Sequence, residues 1–206
     1  ILEFAAKFPD RLIVVDEAYQ EFNEDYPSLI ADMPQYPNLV VTRTMSKAFG
    51  LAGARIGSML ADPDVVNICR TLTAPYFVPA SSANLALQAL TPAGIAQSKK
   101  QIAELKRERV RVQNALLQHP DVIEIYPSQA NFLLVIFKGA VALQERMLKE
   151  NRILLRNMTK AIPNALRVGI GTPSENDLLL QTLGLLEAPS VQRSAELKRE
   201  TNETSI

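Results

Sequence analysis

Arg43-Thr44-Met45-Ser46-Lys47-Ala48-Phe49-Gly50-Leu51-Ala52-Gly53-Ala54-Arg55-Ile56-Gly57 sets one lysine among hydroxyl side chains and small residues, with an arginine eight positions beyond it. Small neighbours let a lysine be buried without crowding. Burial disfavours the charged amine and makes it nucleophilic, the condition for a Schiff base with a carbonyl. Hydroxyls and a guanidinium close by suit a phosphate. A carbonyl and a phosphate on one small molecule describe pyridoxal phosphate, and the stretch points to a site of that kind. The competing reading of Lys47 is a solvated surface lysine, the usual fate of that side chain.

Outward from this stretch the chain reads as an α/β protein. Leu39-Val40-Val41-Thr42 is a short apolar run that delivers the chain to Thr44. Upstream, Leu12-Ile13-Val14-Val15 is another, ending at Asp16-Glu17-Ala18-Tyr19. Such runs predict strands buried on both faces, as in a parallel sheet covered by helices. Ligand groups of open α/β sheets gather beyond the carboxyl ends of strands, so Asp16 and Lys47 are expected at one sheet edge. Residues 56–60 read as a third strand, antiparallel because its link to Lys47 is short.

Asp62-Pro63-Asp64 opens a helix to about Thr71, with proline in the first turn. Ser81-Ser82 reads as a cap for a helix reaching Leu90. After Thr91-Pro92-Ala93-Gly94 comes a long helix with Ile102, Leu105, Val112 and Leu116 on one face. Beyond His119-Pro120, residues 122–126 and 131–137 read as strands. Residues 141–150 read as a helix closed by a left-handed Asn151. Residues 153–155 and 165–170 are further strands. Thr172-Pro173-Ser174-Glu175 has the form of a capping box, with Leu179, Leu183 and Leu186 inward. The expected organisation is a larger unit over residues 1–92, a smaller α+β unit over 93–188 and a disordered polar tail over 189–206.

The bulk numbers exclude more than they assign. Of 206 residues, 47% are apolar and 21% charged, the balance of a soluble globular protein. Lys+Arg and Asp+Glu both total 22, so no nucleic-acid or membrane surface is advertised. The sequence has no apolar run of transmembrane length and no secretory signal. The single cysteine, Cys69, rules out an internal disulfide and fits a reducing cytoplasm. One histidine and one cysteine are too few for a zinc site on those ligands, and no metal is expected. The chain begins inside a helical pattern without an initiating methionine, so an N-terminal part is expected to be missing from this sequence.

Val15-Asp16-Glu17-Ala18-Tyr19 and residues 43–57, followed by Gln129-Ala130-Asn131-Phe132, Leu154-Leu155-Arg156 and Leu166-Arg167-Val168-Gly169-Ile170-Gly171-Thr172, resemble fold-type I aminotransferases of class I/II. Within that class the resemblance is nearest to the histidinol-phosphate aminotransferases. It runs from Ile1 to about Leu186, in order and with compatible spacing. It implies the C-terminal part of a fold-type I pyridoxal-phosphate transferase: a mostly parallel sheet with helices on both faces, then a smaller α+β domain. It also implies pyridoxal 5'-phosphate as cofactor, an amino donor and a 2-oxo acid as substrates, and a cytoplasmic homodimer when full length.

The resemblance assigns roles residue by residue. Lys47 carries the cofactor and then moves the substrate Cα proton. Asp16 pairs with the cofactor's ring nitrogen. Two unit charges ~4 Å apart interact by about 4 kcal/mol at an effective dielectric of 20, enough to keep such a ring protonated. Tyr19 hydrogen-bonds the cofactor's phenolic oxygen, and Thr44, Ser46 and Arg55 bind its phosphate. Arg167 grips a substrate carboxylate, and Arg156 helps hold a substrate phosphate. Each has a plainer alternative: a loop-capping Asp16, a packing Tyr19, a Thr44 that satisfies its own strand, and surface ion pairs for Arg156 and Arg167. Glu17 is expected to support its loop rather than react, and Asn131 is left between structure and site. His119 carries no catalytic role, and Cys69 reads as a small core residue. Cofactor ligands that the family carries upstream have no counterpart here. Open alternatives are an aromatic aminotransferase, a threonine-phosphate decarboxylase, and a non-catalytic fragment or aminotransferase-like module.

Overall fold

The computed structural model describes residues 1–23 and 25–187; the tail expected to be disordered, 189–206, lies outside the described residues. By contact density the chain divides into two compact units. The first comprises Ile1–Arg109 with Pro127–Leu133, and the second Val110–Tyr126 with the residues from Leu134 on.

In the first unit the short helix α1 (Leu2–Lys7) leads into strand β1 (Ile13–Asp16), followed by β2 (Leu39–Thr44) and β3 (Gly57–Leu60). β1 and β2 run parallel, with Asp16 opposite Thr42, and β3 returns antiparallel with Gly57 opposite Thr44. The apolar runs make strands because Val and Ile fit a pleated surface. Leu39, Val40 and Val41 are buried. β1 departs from the expectation of two buried faces: Val14 is 63% exposed. Strand side chains alternate between faces, and the face that carries Val14 and Asp16 is open along β1, although Val40, beside Val14 on β2, is buried. Buried Asn38 closes the turn between α1 and the sheet, its side-chain amide lying 3.0 Å from the carbonyls of Ala5, Phe8 and Arg11.

Helix α2 (Pro63–Leu72) starts as expected, with Asp62 accepting the Asp64 amide. Helix α3 (Ala80–Ala89) is capped at Pro79 without a side-chain bond, so Ser81 and Ser82 lie in its first turn rather than ahead of it. Helix α4 (Pro92–Leu116) absorbs Gly94, whose amide is accepted by the Thr91 hydroxyl. The division between the units falls within α4.

The second sheet has the order β4 (Val122–Ile125), β5 (Phe132–Phe137), β7 (Ala165–Gly169), β6 (Arg156–Asn157). The second unit's core contains Val112, Leu116, Val135, Phe137, Met147, Leu166, Val168 and Leu180, all buried. Helix α5 (Ala140–Asn151) ends on Arg152 in the left-handed region, φ 56°, one residue later than the expected Asn151. The expected strand over 153–155 is corrected: the pairing starts at Arg156. Leu155 is buried but Leu154 is 71% exposed, so the apolar triplet satisfies a packing contact, not a ladder. Helix α6 (Pro173–Thr182) carries the full capping box of Thr172 and Glu175. Leu179 and Leu183 are buried as expected, whereas Leu186 is 39% exposed.

Candidate active site

Parallel pairing of β1 and β2 brings the residues that follow each strand to the same sheet edge. Asp16 closes β1 with an exposed side chain, one oxygen of which accepts the Ala18 amide at 3.0 Å. This is a local turn of the kind aspartate favours. Tyr19 follows, its ring edge-on to Phe132 at 5.8 Å between centroids. Lys47 Nζ lies 5.4 Å from the centre of the Tyr19 ring, within cation–π range. Lys47 is half-buried, less enclosed than its small neighbours suggest.

The loop that carries Lys47 is held by its own backbone. Met45 N–H donates to Ile56, Leu51 N–H to Met45, and Gly50 N–H to the Lys47 carbonyl at 3.2 Å. Gly50 sits at φ 67°, where a side chain would be strained. Gly57 meets a different demand. A Cβ there would stand 2.8 Å from the Arg43 carbonyl oxygen, so only glycine lets β3 lie against β2 at this point.

Thr44 and Ser46 face each other across 2.9 Å between hydroxyl oxygens, and Thr44 Oγ1 also accepts the Ser46 amide at 3.1 Å. The plainer reading of Thr44 is therefore satisfied locally as well. Arg55 is exposed, in the left-handed region at φ 55°, with Nη1 donating to the Ala52 carbonyl at 3.1 Å. Two hydroxyls and a guanidinium, on the lysine loop and at the entry to β3, make a donor set suited to a phosphate. With Asp16, Tyr19 and Lys47 alongside, the residues present fit pyridoxal 5'-phosphate.

A cavity of about 900 Å³ opens beside Asp16, Glu17 and Tyr19 and is walled further by Leu2, Tyr26 and Gln129. Lys47, Ser46 and Arg55 are not among its lining residues. The cavity therefore continues away from the lysine on the Asp16 side.

In the second unit Arg156 and Arg167 stand directly opposite each other across the antiparallel β6–β7 pair. The pairing puts two guanidinium groups side by side on one sheet face, a donor arrangement that suits an anion. Asn176, fully buried, secures the turn after β7 by both accepting from the Gly171 amide and donating to the Gly171 carbonyl at 3.0 Å.

Two supports escaped the sequence reading. Ser98 on α4 is buried and donates to the Ala48 carbonyl, next to Lys47, at 2.8 Å. Nothing in the helix pattern marks that serine, since its partner is 50 residues away. Arg43, at the start of the motif, pairs with Glu17 and Glu21. Glu17 itself supports its loop as expected, accepting from Ser28 Oγ at 2.7 Å and from the Leu29 amide at 2.8 Å. His119 is buried with Nδ1 accepting the Asp121 amide, and Cys69 is only half-buried. Asn131 is half-buried just ahead of β5. Among the described residues no group of three or more His, Cys, Asp or Glu is arranged to hold a metal. No helix of the described residues is long and apolar enough to cross a membrane.

Comparison with known proteins agrees with this geometry. The chain is 44% identical over 175 residues to a histidinol-phosphate aminotransferase of Xanthomonas campestris pv. campestris (strain B100), covering 84% of this chain and 48% of that protein. The crystal structure of histidinol-phosphate aminotransferase from Sinorhizobium meliloti, in complex with pyridoxal-5'-phosphate, superposes with a TM-score of 0.78 at 26% identity, over 88% of this chain and 51% of that one. The L-threonine-O-3-phosphate decarboxylase of Porphyromonas gingivalis gives 0.78 at 28% identity, over 89% and 57%. The chain thus spans about half the length of the relatives it matches, and its fold is that of fold-type I pyridoxal-phosphate enzymes. Residues 1–183 match the sequence model of aminotransferase class I and II, and the chain belongs to that family.

Proposed function

We propose that this chain is part of a pyridoxal-phosphate-dependent aminotransferase of L-histidine biosynthesis. It would convert histidinol phosphate and 2-oxoglutarate to imidazole-acetol phosphate and glutamate, in either direction. The observation that carries the reading is the gathering of Asp16, Tyr19 and Lys47 at the ends of two parallel strands, with Lys47 Nζ 5.4 Å from the Tyr19 ring. Identity of 44% to a histidinol-phosphate aminotransferase supports the choice of substrate. Arg156 facing Arg167 suits a substrate that is anionic.

Bound pyridoxal 5'-phosphate supplies an electron sink for the carbanion left when a substrate Cα loses its proton. The chain's own groups do the rest. Lys47 Nζ holds the cofactor and, once released, moves the proton at the substrate Cα as base and acid. The Asp16 carboxylate keeps the ring nitrogen protonated. Tyr19 Oη donates to the phenolic oxygen. Thr44, Ser46 and Arg55 bind the cofactor phosphate. Arg167 binds the carboxylate of glutamate in one half-reaction, and Arg156 the phosphate of histidinol phosphate in the other. The intact enzyme works as a cytoplasmic homodimer.

Likeness to the P. gingivalis decarboxylase supports a second reading, decarboxylation of threonine phosphate at the same lysine. One set of measurements separates the two. The intact gene product is loaded with pyridoxal 5'-phosphate, reduced with borohydride and peptide-mapped. A separate, unreduced sample is assayed with 2-oxoglutarate and histidinol phosphate, phenylalanine or threonine phosphate. The proposal expects label on Lys47, none in Lys47→Ala, and amino transfer from histidinol phosphate above the other two. Carbon dioxide release from threonine phosphate without amino transfer would select the decarboxylase. No label on Lys47 would defeat both.

A further inference from the structure

Glu17 is a buried carboxylate that the proposed chemistry does not use. β1 places Asp16 and Glu17 on opposite faces of the sheet, because strand side chains alternate. Parallel register then puts Glu17 on the same face as Arg43, since Val15 lies opposite Val41. The Glu17 amide makes the next bond of the parallel pairing, to the Thr42 carbonyl at 2.9 Å. The side chain repeats the attachment: Oε2 lies 3.2 Å from Arg43 Nε. This is an ion pair without the alignment of a hydrogen bond. Arg43 reaches on with Nη1 to Glu21 Oε1 at 3.0 Å.

Glu17 and Glu21 bracket Tyr19, two residues to each side. One guanidinium therefore fastens both ends of the segment that holds Tyr19 to the strand that delivers Lys47, which lies four residues past Arg43. The Glu17 side chain is 5% exposed and that of Arg43 25% exposed. A carboxylate so enclosed needs its countercharge. Ser28 Oγ and the Leu29 amide donate to the two oxygens of Glu17 as well. The bonds leave the carboxylate little freedom, and whatever holds Glu17 also holds its neighbour Asp16.

We infer that Glu17, Arg43 and Glu21 form a positioning staple on the reverse face of the sheet. It fixes Asp16 and Tyr19 relative to the loop of Lys47, and Arg43 is its centre. The inference rests on the cofactor reading above, with Asp16 and Tyr19 as the groups positioned. It requires the planar fork of arginine, because one lysine amine cannot span both carboxylates in the same geometry.

The test uses the intact gene product and the variants Glu17→Gln, Arg43→Gln, Arg43→Lys and the double Glu17→Gln/Arg43→Gln. Melting temperature without cofactor, amide exchange at Ala18 and Gln20, whose amides bond to Asp16 and to the Glu17 carbonyl, and the dissociation constant for pyridoxal 5'-phosphate are measured for each. Removing the Glu17 and Arg43 charges together leaves no unpaired ion at the buried Glu17 position, and Glu21, its side chain 25% exposed, can turn to water, so the double variant should melt near the wild type. The staple predicts that it nonetheless exchanges Ala18 and Gln20 at least about tenfold faster and binds cofactor about tenfold more weakly. Arg43→Lys should lose affinity in the same direction. Affinity and exchange that return to wild-type values with the melting temperature would overturn the inference and leave only a structural ion pair. Should the wild type bind no cofactor, the functional reading fails by itself. The exchange arm then decides the staple, and unchanged exchange in the double variant sinks it.

Discussion

Arg55 shows at the scale of one residue how a site departs from local preference. Its backbone lies at φ 55°, a region that costs a non-glycine residue about 1 kcal/mol. Arg55→Gly is therefore expected to melt about 2–4 °C above Arg55→Ala, a difference of about 1 kcal/mol in a chain of this size. Thermal melts of the two variants check this directly. If Arg55 binds the cofactor phosphate, both variants should lose cofactor affinity equally, since both remove the guanidinium. A stabilised Arg55→Gly that binds cofactor as the wild type does would remove Arg55 from the phosphate set. Thr44 and Asp16 illustrate a related point. Each satisfies a neighbouring amide, with Ser46 and Ala18 as donors. A local hydrogen bond of this kind is compatible with the proposed cofactor role, and the plainer reading of a residue does not exclude the sharper one.

Among the elements, α6 and α4 each act through a side-chain contact at a loop. At the start of α6 the Glu175 carboxyl is held below its ordinary value of 4.5, first by the Thr172 amide and then by the Thr172 hydroxyl. A lowered value means that the folded state favours the charged form. Its stabilising contribution is present above the ordinary carboxylate value and is lost as pH falls through the lowered one. The melting difference between wild type and Glu175→Gln should therefore be largest near neutral pH and shrink toward pH 3. Thr172→Ala should cost about 1 kcal/mol at neutral pH, measured by denaturant titration. A pH-independent difference for Glu175→Gln would contradict the cap as the source. α4 acts through one hydroxyl: Ser98 satisfies the Ala48 carbonyl and so steadies the peptide that follows Lys47.

For the whole molecule, the question is what the apolar surface does. Leu12, just ahead of β1, and Val14 within it are 55% and 63% exposed, and Ile68 and Leu72 are 63% and 83% exposed on α2. Exposed apolar strands and helix faces of this extent favour association. The chain is expected to bind an apolar dye and to self-associate at micromolar concentration, as read by light scattering. Leu12→Ser/Val14→Ser should lower both signals. Unchanged scattering in that variant would place the association elsewhere.

Much of the α/β unit was legible in the sequence, because short-range physics writes it there. Apolar runs bounded by Pro, Asp and Gly mark β1, β2 and β3, and the Thr172–Glu175 box marks α6 within four residues. The placement of Asp16 at the end of β1 and of Lys47 three residues past β2 was legible for the same reason. β6 was not. It is a two-residue strand defined by its pairing with β7, and the apolar triplet ahead of it imitates a strand without forming one. The exposure of Val14 was hidden because composition states how apolar a face is, not whether anything covers it. By itself the sequence determined the turns, caps and strand runs, whose hydrogen bonds and side-chain periods close within a few residues. Only the tertiary structure decided that Arg43 joins Glu17 to Glu21, that Ser98 reaches Ala48, and that Arg156 stands opposite Arg167. Those meetings depend on register and packing between segments far apart in the chain, and no local pattern carries that information.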